Sequence, residues 1–160
     1  GGYGIPGAAG AKEILSYADQ NKNYTHIVCA VGTGTMMAGL VKAASPAQKI
    51  IGISTMRGNT GLFEKVNELL TETELDKDYT ILYDYHFGGY AKHPGNLLNF
   101  MNEVWSAYKL PTDFVYTAKT FFAAEELILN HTIPPGSSIL MIHSGGLQGN
   151  LSLSEGILAF

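Results

Sequence analysis

The feature that most constrains this chain is the passage from Thr25 to Ala44, THIVCAVGTGTMMAGLVKAA. It begins with an unbroken apolar and β-branched run, Ile27 to Val31, which predicts a strand covered on both faces in a parallel sheet. Gly32 to Thr35 then allows a sharp turn, because glycine adopts positive φ angles without steric cost. Met36 to Ala44 is predicted to be the helix that follows.

A strand, a glycine-rich turn and a helix in succession suit a phosphate or another small anion, because free backbone N–H groups and the positive end of the helix dipole meet at one point. The spacing is neither G-x-G-x-x-G nor G-x-x-x-x-G-K-[ST], so the dinucleotide fingerprint and the P-loop do not apply. The alternative is a turn that is rich in glycine only for tight packing. We therefore predict an anion site whose members are Gly32, Thr33, Gly34 and Thr35.

Composition limits the classes of protein that are possible. With 160 residues, of which 46% are hydrophobic and 15% charged, the chain can bury the core of one domain. The net charge of -4 and the scattered lysines leave no basic surface for nucleic acid. No apolar run reaches the roughly 20 residues of a membrane span, so no membrane partner is expected.

The chain's single cysteine, Cys29, allows no internal disulfide, which favours a cytoplasmic location. It lies in the apolar strand, where a small buried hydrophobic side chain is expected rather than a catalytic thiol.

His86 and His93 lack Cys, Asp or Glu partners at metal-ligand spacing, so no metal site is predicted. The opening on Gly1 rather than on methionine leads us to expect a piece of a longer protein.

Helix and strand patterns alternate along the whole chain. Helical patterns cover 8–22, 62–70, 97–108 and 119–130, and short apolar runs predict strands at 49–54, 79–84 and 137–143. This order predicts an α/β fold, an open parallel sheet of about four strands with helices on both faces. If the fourth strand lies beside the first, the glycine turns after the two strands meet at the switch point where such sheets bind ligands.

Five motifs stand in order along the chain: GGYGIPGAAG, AVGTGTMMAGL, FGGYAKHP, DFVYTAKTF and MIHSGGLQG. Together they resemble the 1-aminocyclopropane-1-carboxylate deaminase and D-cysteine desulfhydrase family, pyridoxal-phosphate enzymes of the tryptophan-synthase-β fold type. The resemblance spans nearly all of the chain but only about the C-terminal half of a family member. It implies that Gly32 to Thr35 hold the phosphate of pyridoxal phosphate, although the family often has glycine and then threonine at Thr35 and Met36.

The same resemblance implies the remaining site residues. Tyr90 and Tyr116 resemble two tyrosines that flank the cofactor and contact the substrate, whereas a tyrosine taken alone is more often packed by its ring. Thr117 stands where ring-opening deaminases carry glutamate and desulfhydrase-like members carry threonine. A hydroxyl from Thr117 or Ser144 at the cofactor's ring nitrogen gives a weaker electron sink than a carboxylate, which suits β-elimination.

The lysine that forms the Schiff base in this family lies upstream of Gly1, and neither Lys92 nor Lys119 matches its position. The resemblance therefore implies a parent lyase or deaminase of small amino acids such as D-cysteine, and a chain that is inactive alone. Two alternatives remain: a non-catalytic module that binds a nucleotide or sugar phosphate, and a member without the lysine that serves regulation or assembly. We also expect self-association, because a truncated α/β domain exposes apolar surface.

Overall fold

The computed structural model describes residues 2–20 and 22–160. Its helices are α1 (Ile5–Ala11), α2 (Thr35–Ala43), α3 (Leu62–Asn67), α4 (Glu72–Leu75), α5 (Gly95–Tyr108) and α6 (Thr117–Leu129). Its strands are β1 (His26–Val31), β2 (Lys49–Ser54), β3 (Tyr79–Leu82) and β4 (Ile139–Met141). Two short 3-10 helices cover Lys12–Tyr17 and Leu147–Ser152.

Within the described residues, the four strands form one parallel sheet in the order β3-β2-β1-β4. On one side of β1, His26 to Val31 pair with Lys49 to Ser54. On its other side, His26 lies opposite Ile139 and begins a shorter pairing with β4. The predicted α/β fold is confirmed, and the fourth strand does lie beside the first.

Side chains that alternate along β1 pack against helices on opposite faces of the sheet, because successive strand residues point to opposite sides. Ile27, Cys29 and Val31 join the cluster formed by α1, α2 and α3, which includes Ala8, Met37, Leu40 and Val66. Val28 joins the cluster on the other face, which α6 closes with Ala123, Ala124 and Leu127. Burial raises the pKa of the Cys29 thiol to about 12, as expected of a cysteine that only packs.

The predicted helix at 8–22 is wrong in its bounds. The helix begins earlier, at Ile5, and it gives way to the 3-10 helix after Ala11. Pro6 lies in its first turn, where the fixed φ of proline favours a helix, and Ala8 is packed against α2. Residue 21, which falls within the predicted helix, and Gly1 of the first motif lie outside the described residues.

Three other predicted elements are shorter than expected, one of them the strand predicted at 79–84, which ends at Leu82. The helix predicted at 62–70 ends at Asn67, and it is followed by α4, which the apolar pattern did not indicate. The start of α4 is fixed by a capping box, in which the Thr71 and Glu74 side chains each accept from the other's backbone N–H. The strand predicted at 137–143 is reduced to Ile139–Met141, the part that pairs with β1.

Gly39 allows α1 and α2 to pack closely, and its replacement is the first prediction. A Cβ at Gly39 would lie 2.4 Å from Ala11 Cβ and 2.7 Å from the Ala8 carbonyl oxygen. We expect Gly39→Ala to lower the free energy of unfolding by about 3 kcal/mol, because the backbones must separate. Gly10→Ala is the matched control: it lies in α1 with open space around it, and the change should stabilise by roughly 0.5–1 kcal/mol.

Chemical denaturation of the two variants beside the unchanged chain measures both values. Equal effects of the two substitutions would contradict the close approach of α1 and α2.

Candidate functional site

The two glycine turns recognised in the sequence meet at one cavity of about 190 Å³ at the carboxyl ends of β1 and β4. The loop after β1 and the start of α2 form most of its wall, and Tyr116 and Ser144 complete it. Its lining side chains are neutral, so a bound anion would be held by backbone dipoles and hydroxyls. Of the predicted site residues, the cavity brings together Gly32, Thr33, Gly34, Tyr116 and Ser144.

Gly34 fixes the shape of the loop. Its φ is +91°, and a Cβ there would lie 2.9 Å from Cγ2 of Val66, so a larger residue would be both strained and obstructed. On the opposite side, the Asn59 side-chain amide donates to the Gly32 carbonyl oxygen over 3.2 Å. The loop is therefore held between α3 and the segment after β2, and its N–H groups stay in place.

The start of α2 supplies the donors that an anion needs. The first intrahelical hydrogen bond of α2 runs from the Ala38 N–H to the carbonyl oxygen of Gly34. The N–H groups of Thr35 to Met37 therefore have no partner within the helix. The Thr33 side chain is exposed at the cavity, and its hydroxyl lies 3.3 Å from Thr35 Oγ1. These N–H groups and the Thr33 hydroxyl are the donors available to the predicted anion site, and binding of an anion there stays a prediction.

The Thr35 hydroxyl is directed away from the cavity. It donates to the Gly2 carbonyl oxygen over 3.1 Å, and Thr35 is buried. In this structure Thr35 connects the loop to the N-terminal segment and supports Thr33. Direct binding of a phosphate by the Thr35 hydroxyl stays a prediction.

Tyr116 owes its position to Asp113, a residue that sequence reasoning missed. The buried Asp113 carboxylate accepts from the N–H groups of Val115 (2.7 Å), Tyr116 (2.8 Å) and Thr117 (3.0 Å) at the start of α6. Asp113 stands three residues before Tyr116, the residue at the cap position of α6, so the usual capping pattern does not point to it. A Cβ at Gly146 would lie 3.0 Å from the same carboxylate, so Asp113 also contacts the second glycine turn.

Thr117 takes part in this cap instead of lining the cavity. Its hydroxyl donates to Asp113 Oδ1 over 2.8 Å and accepts from the Asp113 N–H over 2.7 Å. Ser144, by contrast, is exposed and lines the cavity. Of the two hydroxyls predicted to reach the cofactor ring, only that of Ser144 faces the cavity in this structure.

Tyr90 approaches the site from the loop after β3. Its ring lies 6.5 Å from that of Tyr116, centroid to centroid, at an interplanar angle of 68°, and Tyr90 is 60% exposed. The pKa of the Tyr116 phenol is raised above its usual value, first by burial and then by the neighbouring Tyr90 phenol. Tyr116 is therefore protonated at neutral pH and can donate a hydrogen bond, whereas the raised pKa makes it a weaker proton donor.

A second cavity, of about 520 Å³, opens on the other side of the same loop. It shares Gly32 and Thr33 with the first and adds two cationic side chains, Arg57 and Lys65. The loop thus has a neutral cavity on one side and a positively charged one on the other. Across residues 2–20 and 22–160 there is no cluster of His, Cys, Asp or Glu suited to a metal ion.

Comparison with known proteins agrees with this geometry. A Pyrococcus horikoshii protein with the provisional name 1-aminocyclopropane-1-carboxylate deaminase is 29% identical over 170 residues, covering 96% of this chain and 52% of the relative. The mitochondrial bifunctional D-cysteine desulfhydrase/1-aminocyclopropane-1-carboxylate deaminase of Arabidopsis thaliana is 29% identical, covering 92% of this chain and 38% of the relative. The solved structure of a homologue of this deaminase superposes with a TM-score of 0.69 at 25% identity, covering 91% of this chain and 46% of that one.

The predicted resemblance to the 1-aminocyclopropane-1-carboxylate deaminase and D-cysteine desulfhydrase family is confirmed. The relatives are enzymes by name, so the expectation of an enzyme family holds as well. The chain spans about half the length of the curated relatives it matches. No protein-family model matches it, and no helix among the described residues is long and apolar enough to cross a membrane.

The role of Asp113 gives the second prediction. Asp113→Ala removes the acceptor for three backbone N–H groups and for the Thr117 hydroxyl, and we expect a loss of about 2–3 kcal/mol in unfolding free energy. Hydrogen exchange should quicken at the N–H groups of Val115 to Thr117. The neighbouring Thr112→Val is the control, because the buried Thr112 hydroxyl has no hydrogen-bond partner among the described residues.

Thr112→Val should be neutral or slightly stabilising by the same denaturation measurement. A loss of stability as large as that of Asp113→Ala would show that the segment responds to any substitution and that the carboxylate has no special role.

Proposed function

We propose that this chain forms the phosphate-holding part of a pyridoxal-phosphate-dependent deaminase or lyase that acts on small amino acids such as D-cysteine or 1-aminocyclopropane-1-carboxylate. The observation that carries the proposal is the single cavity that joins the Gly32–Gly34 loop, Tyr116 and Ser144. The resemblance to the family implies a phosphate at this loop, and the free N–H groups at the start of α2 fit one.

The glycine loop and Ser144 would contact different parts of the cofactor. In the proposed complex the N–H groups from the loop to Met37 face the phosphate. The Thr33 hydroxyl, which donates to Thr35 Oγ1 in this structure, turns to the phosphate as a further donor. Ser144 offers a hydroxyl rather than a carboxylate to the cofactor's ring nitrogen. Because a neutral hydroxyl stabilises a protonated ring nitrogen less than a carboxylate does, we favour elimination from an amino acid over opening of a cyclopropane ring.

The tyrosines act on the substrate side of the cavity. When bound, pyridoxal phosphate supplies an electron sink for the α-carbon of an amino acid. Tyr116, whose raised pKa keeps its phenol protonated, is suited to donate a hydrogen bond to the substrate carboxylate, whereas proton relay would need a lowered pKa. Tyr90 does not line the cavity in this structure, but it lies beside it at ring-contact distance from Tyr116.

We further propose that the chain alone does not turn over amino acids. Enzymes of this kind need a lysine that bonds the cofactor and moves the α-proton, and no lysine lines the cavity that holds Tyr116 and Ser144. Self-association of the chain also stays a prediction, which light scattering tests.

Binding of phosphorylated and unphosphorylated ligands tests the phosphate site. Pyridoxine 5′-phosphate lacks the aldehyde and cannot label surface lysines, so it isolates binding through the phosphate. We expect both it and pyridoxal phosphate to raise the melting temperature of the chain, and we expect pyridoxine without phosphate to have no effect. Thr33→Val should weaken binding about threefold to tenfold by removing one hydrogen bond, and Thr132→Val, on the exposed segment after α6, should not.

Two results would contradict the proposal. Stabilisation by a nucleotide and not by pyridoxine 5′-phosphate would favour a non-catalytic nucleotide module. Equal binding by Thr33→Val and the unchanged chain would place the phosphate elsewhere. For the longer protein, release of pyruvate or 2-oxobutyrate from a panel of amino acids identifies the substrate, and absence of turnover of every amino acid would refute the enzyme assignment.

A further inference from the structure

Lys119 is a fully buried lysine in the first turn of α6, three residues after Tyr116. Its Nζ donates to three backbone carbonyl oxygens, those of Gly89 (2.8 Å), His86 (3.0 Å) and Thr55 (3.4 Å). Thr55 directly follows β2, and His86 and Gly89 belong to the loop after β3. One side chain therefore joins the start of α6 to the loops at the carboxyl ends of two strands.

Burial of an ammonium group has to be offset by hydrogen bonds, because lysine is almost never fully buried without partners. Its three donors match the three carbonyl acceptors in number, which offsets part of the cost of removing the charge from water. Burial still lowers the pKa of Lys119 to about 8, against the opposing effect of the Asp113 carboxylate. Lys119 lines neither of the two cavities beside the glycine loop, so its arrangement is that of a group that holds backbone, not of a nucleophile.

The loop that Lys119 holds has an unusual backbone. Phe87 and Ala91 have positive φ angles of 52° and 53° without being glycine, and Gly88 and Gly89 have φ angles of 93° and 131°. Such conformations persist only where the surroundings enforce them. Tyr90 is 60% exposed, and its side chain contacts that of Tyr116, so its place depends on this contact and on the path of this backbone.

We propose that Lys119 is a positioning residue that fastens the His86–Ala91 loop to the start of α6 and so keeps Tyr90 facing Tyr116 at the cavity. The first turn of α6 directly follows Tyr116 and, through Lys119, fixes the loop that carries Tyr90. Any effect of this coupling on an amino-acid substrate rests on the proposed function. The coupling itself needs no cofactor, so it can be tested separately.

Lys119→Met removes the ammonium group and keeps a side chain of similar length. Lys77→Met is the matched control, because Lys77 Nζ also donates to three backbone carbonyl oxygens, those of Val41 (2.9 Å), Lys42 (2.9 Å) and Ala44 (2.8 Å). These lie at the C-terminal end of α2, whereas the cavity lies at its beginning. Both substitutions should lower the melting temperature, and only Lys119→Met should release Tyr90.

The readout is the ¹⁹F NMR spectrum of the chain labelled with 3-fluorotyrosine, with Tyr90 assigned from Tyr90→Phe. In the unchanged chain and in Lys77→Met, the Tyr90 resonance should move when Tyr116 is replaced by phenylalanine. In Lys119→Met the resonance should approach that of an exposed tyrosine and stop responding to Tyr116→Phe. If Lys119→Met loses stability as Lys77→Met does while the response to Tyr116→Phe persists, Lys119 is structural only and the proposal is wrong.

A second measurement needs no substitution at Lys119, so it serves even where that variant does not fold. Loss of the third donor proton should loosen the loop, and the ¹⁵N–¹H resonances of the Gly89 and Tyr90 backbone amides, in a chain without fluorotyrosine, should therefore move with a midpoint near pH 8. The titratable groups nearest in the chain to the contacts of Lys119 are Asp113, His86, Tyr90 and Tyr116, and of these Asp113 acts on the Lys119 pKa. The pKa of the Tyr116 phenol is raised above its usual value, outside this range. His86→Gln keeps the carbonyl that Lys119 uses and removes the imidazole, so persistence of the transition in this variant assigns it to Lys119. A flat profile, or one that disappears in His86→Gln, would overturn the proposal.

Discussion

The burial of β1 between two parallel neighbours is the constraint on which the site depends. The strands β2 and β4 pair with the two edges of β1, and helices cover both of its faces. The segment that follows Val31 therefore has room only beyond the carboxyl end of the sheet. The turn there must be sharp, and Gly34 adopts a φ of +91° to make it. Pairing with β4 brings Ser144 to the same edge. The cavity is thus a consequence of strand order, and the anion binding that we propose for it follows from the N-terminus of α2.

The first turn of α6 and the residues just before it organise the other wall. Asp113 caps the helix and fixes Tyr116, while Lys119 holds the loop that carries Tyr90. A buried carboxylate and a buried ammonium group lie within six residues of each other, and each is satisfied mainly by backbone groups. Buried charges tolerate few alternative arrangements, so this segment is the least replaceable part of the described chain.

The sequence predicted much of the fold because the signals were local. β2 was predicted at its observed bounds, and α2 within one residue at each end, since apolar runs and glycine turns mark these elements directly. The hydroxyls of Thr35 and Thr117 could not be assigned in this way. Their direction depends on Gly2 and Asp113, which are brought to them by packing or by a cap. The carbonyl partners of Lys119, at least 30 residues away in the chain, leave no periodic signal at all.

The central claim is that the N–H groups between β1 and α2 hold a phosphate. Titration of the ¹⁵N-labelled chain with inorganic phosphate, followed by amide chemical shifts, tests it most directly because each N–H reports its own contact. The account predicts that the largest shifts fall on Gly32 to Met37, with smaller ones at Ser144 and Tyr116. Shifts centred on Arg57 and Lys65, with the N–H groups of the glycine loop unmoved, would contradict it.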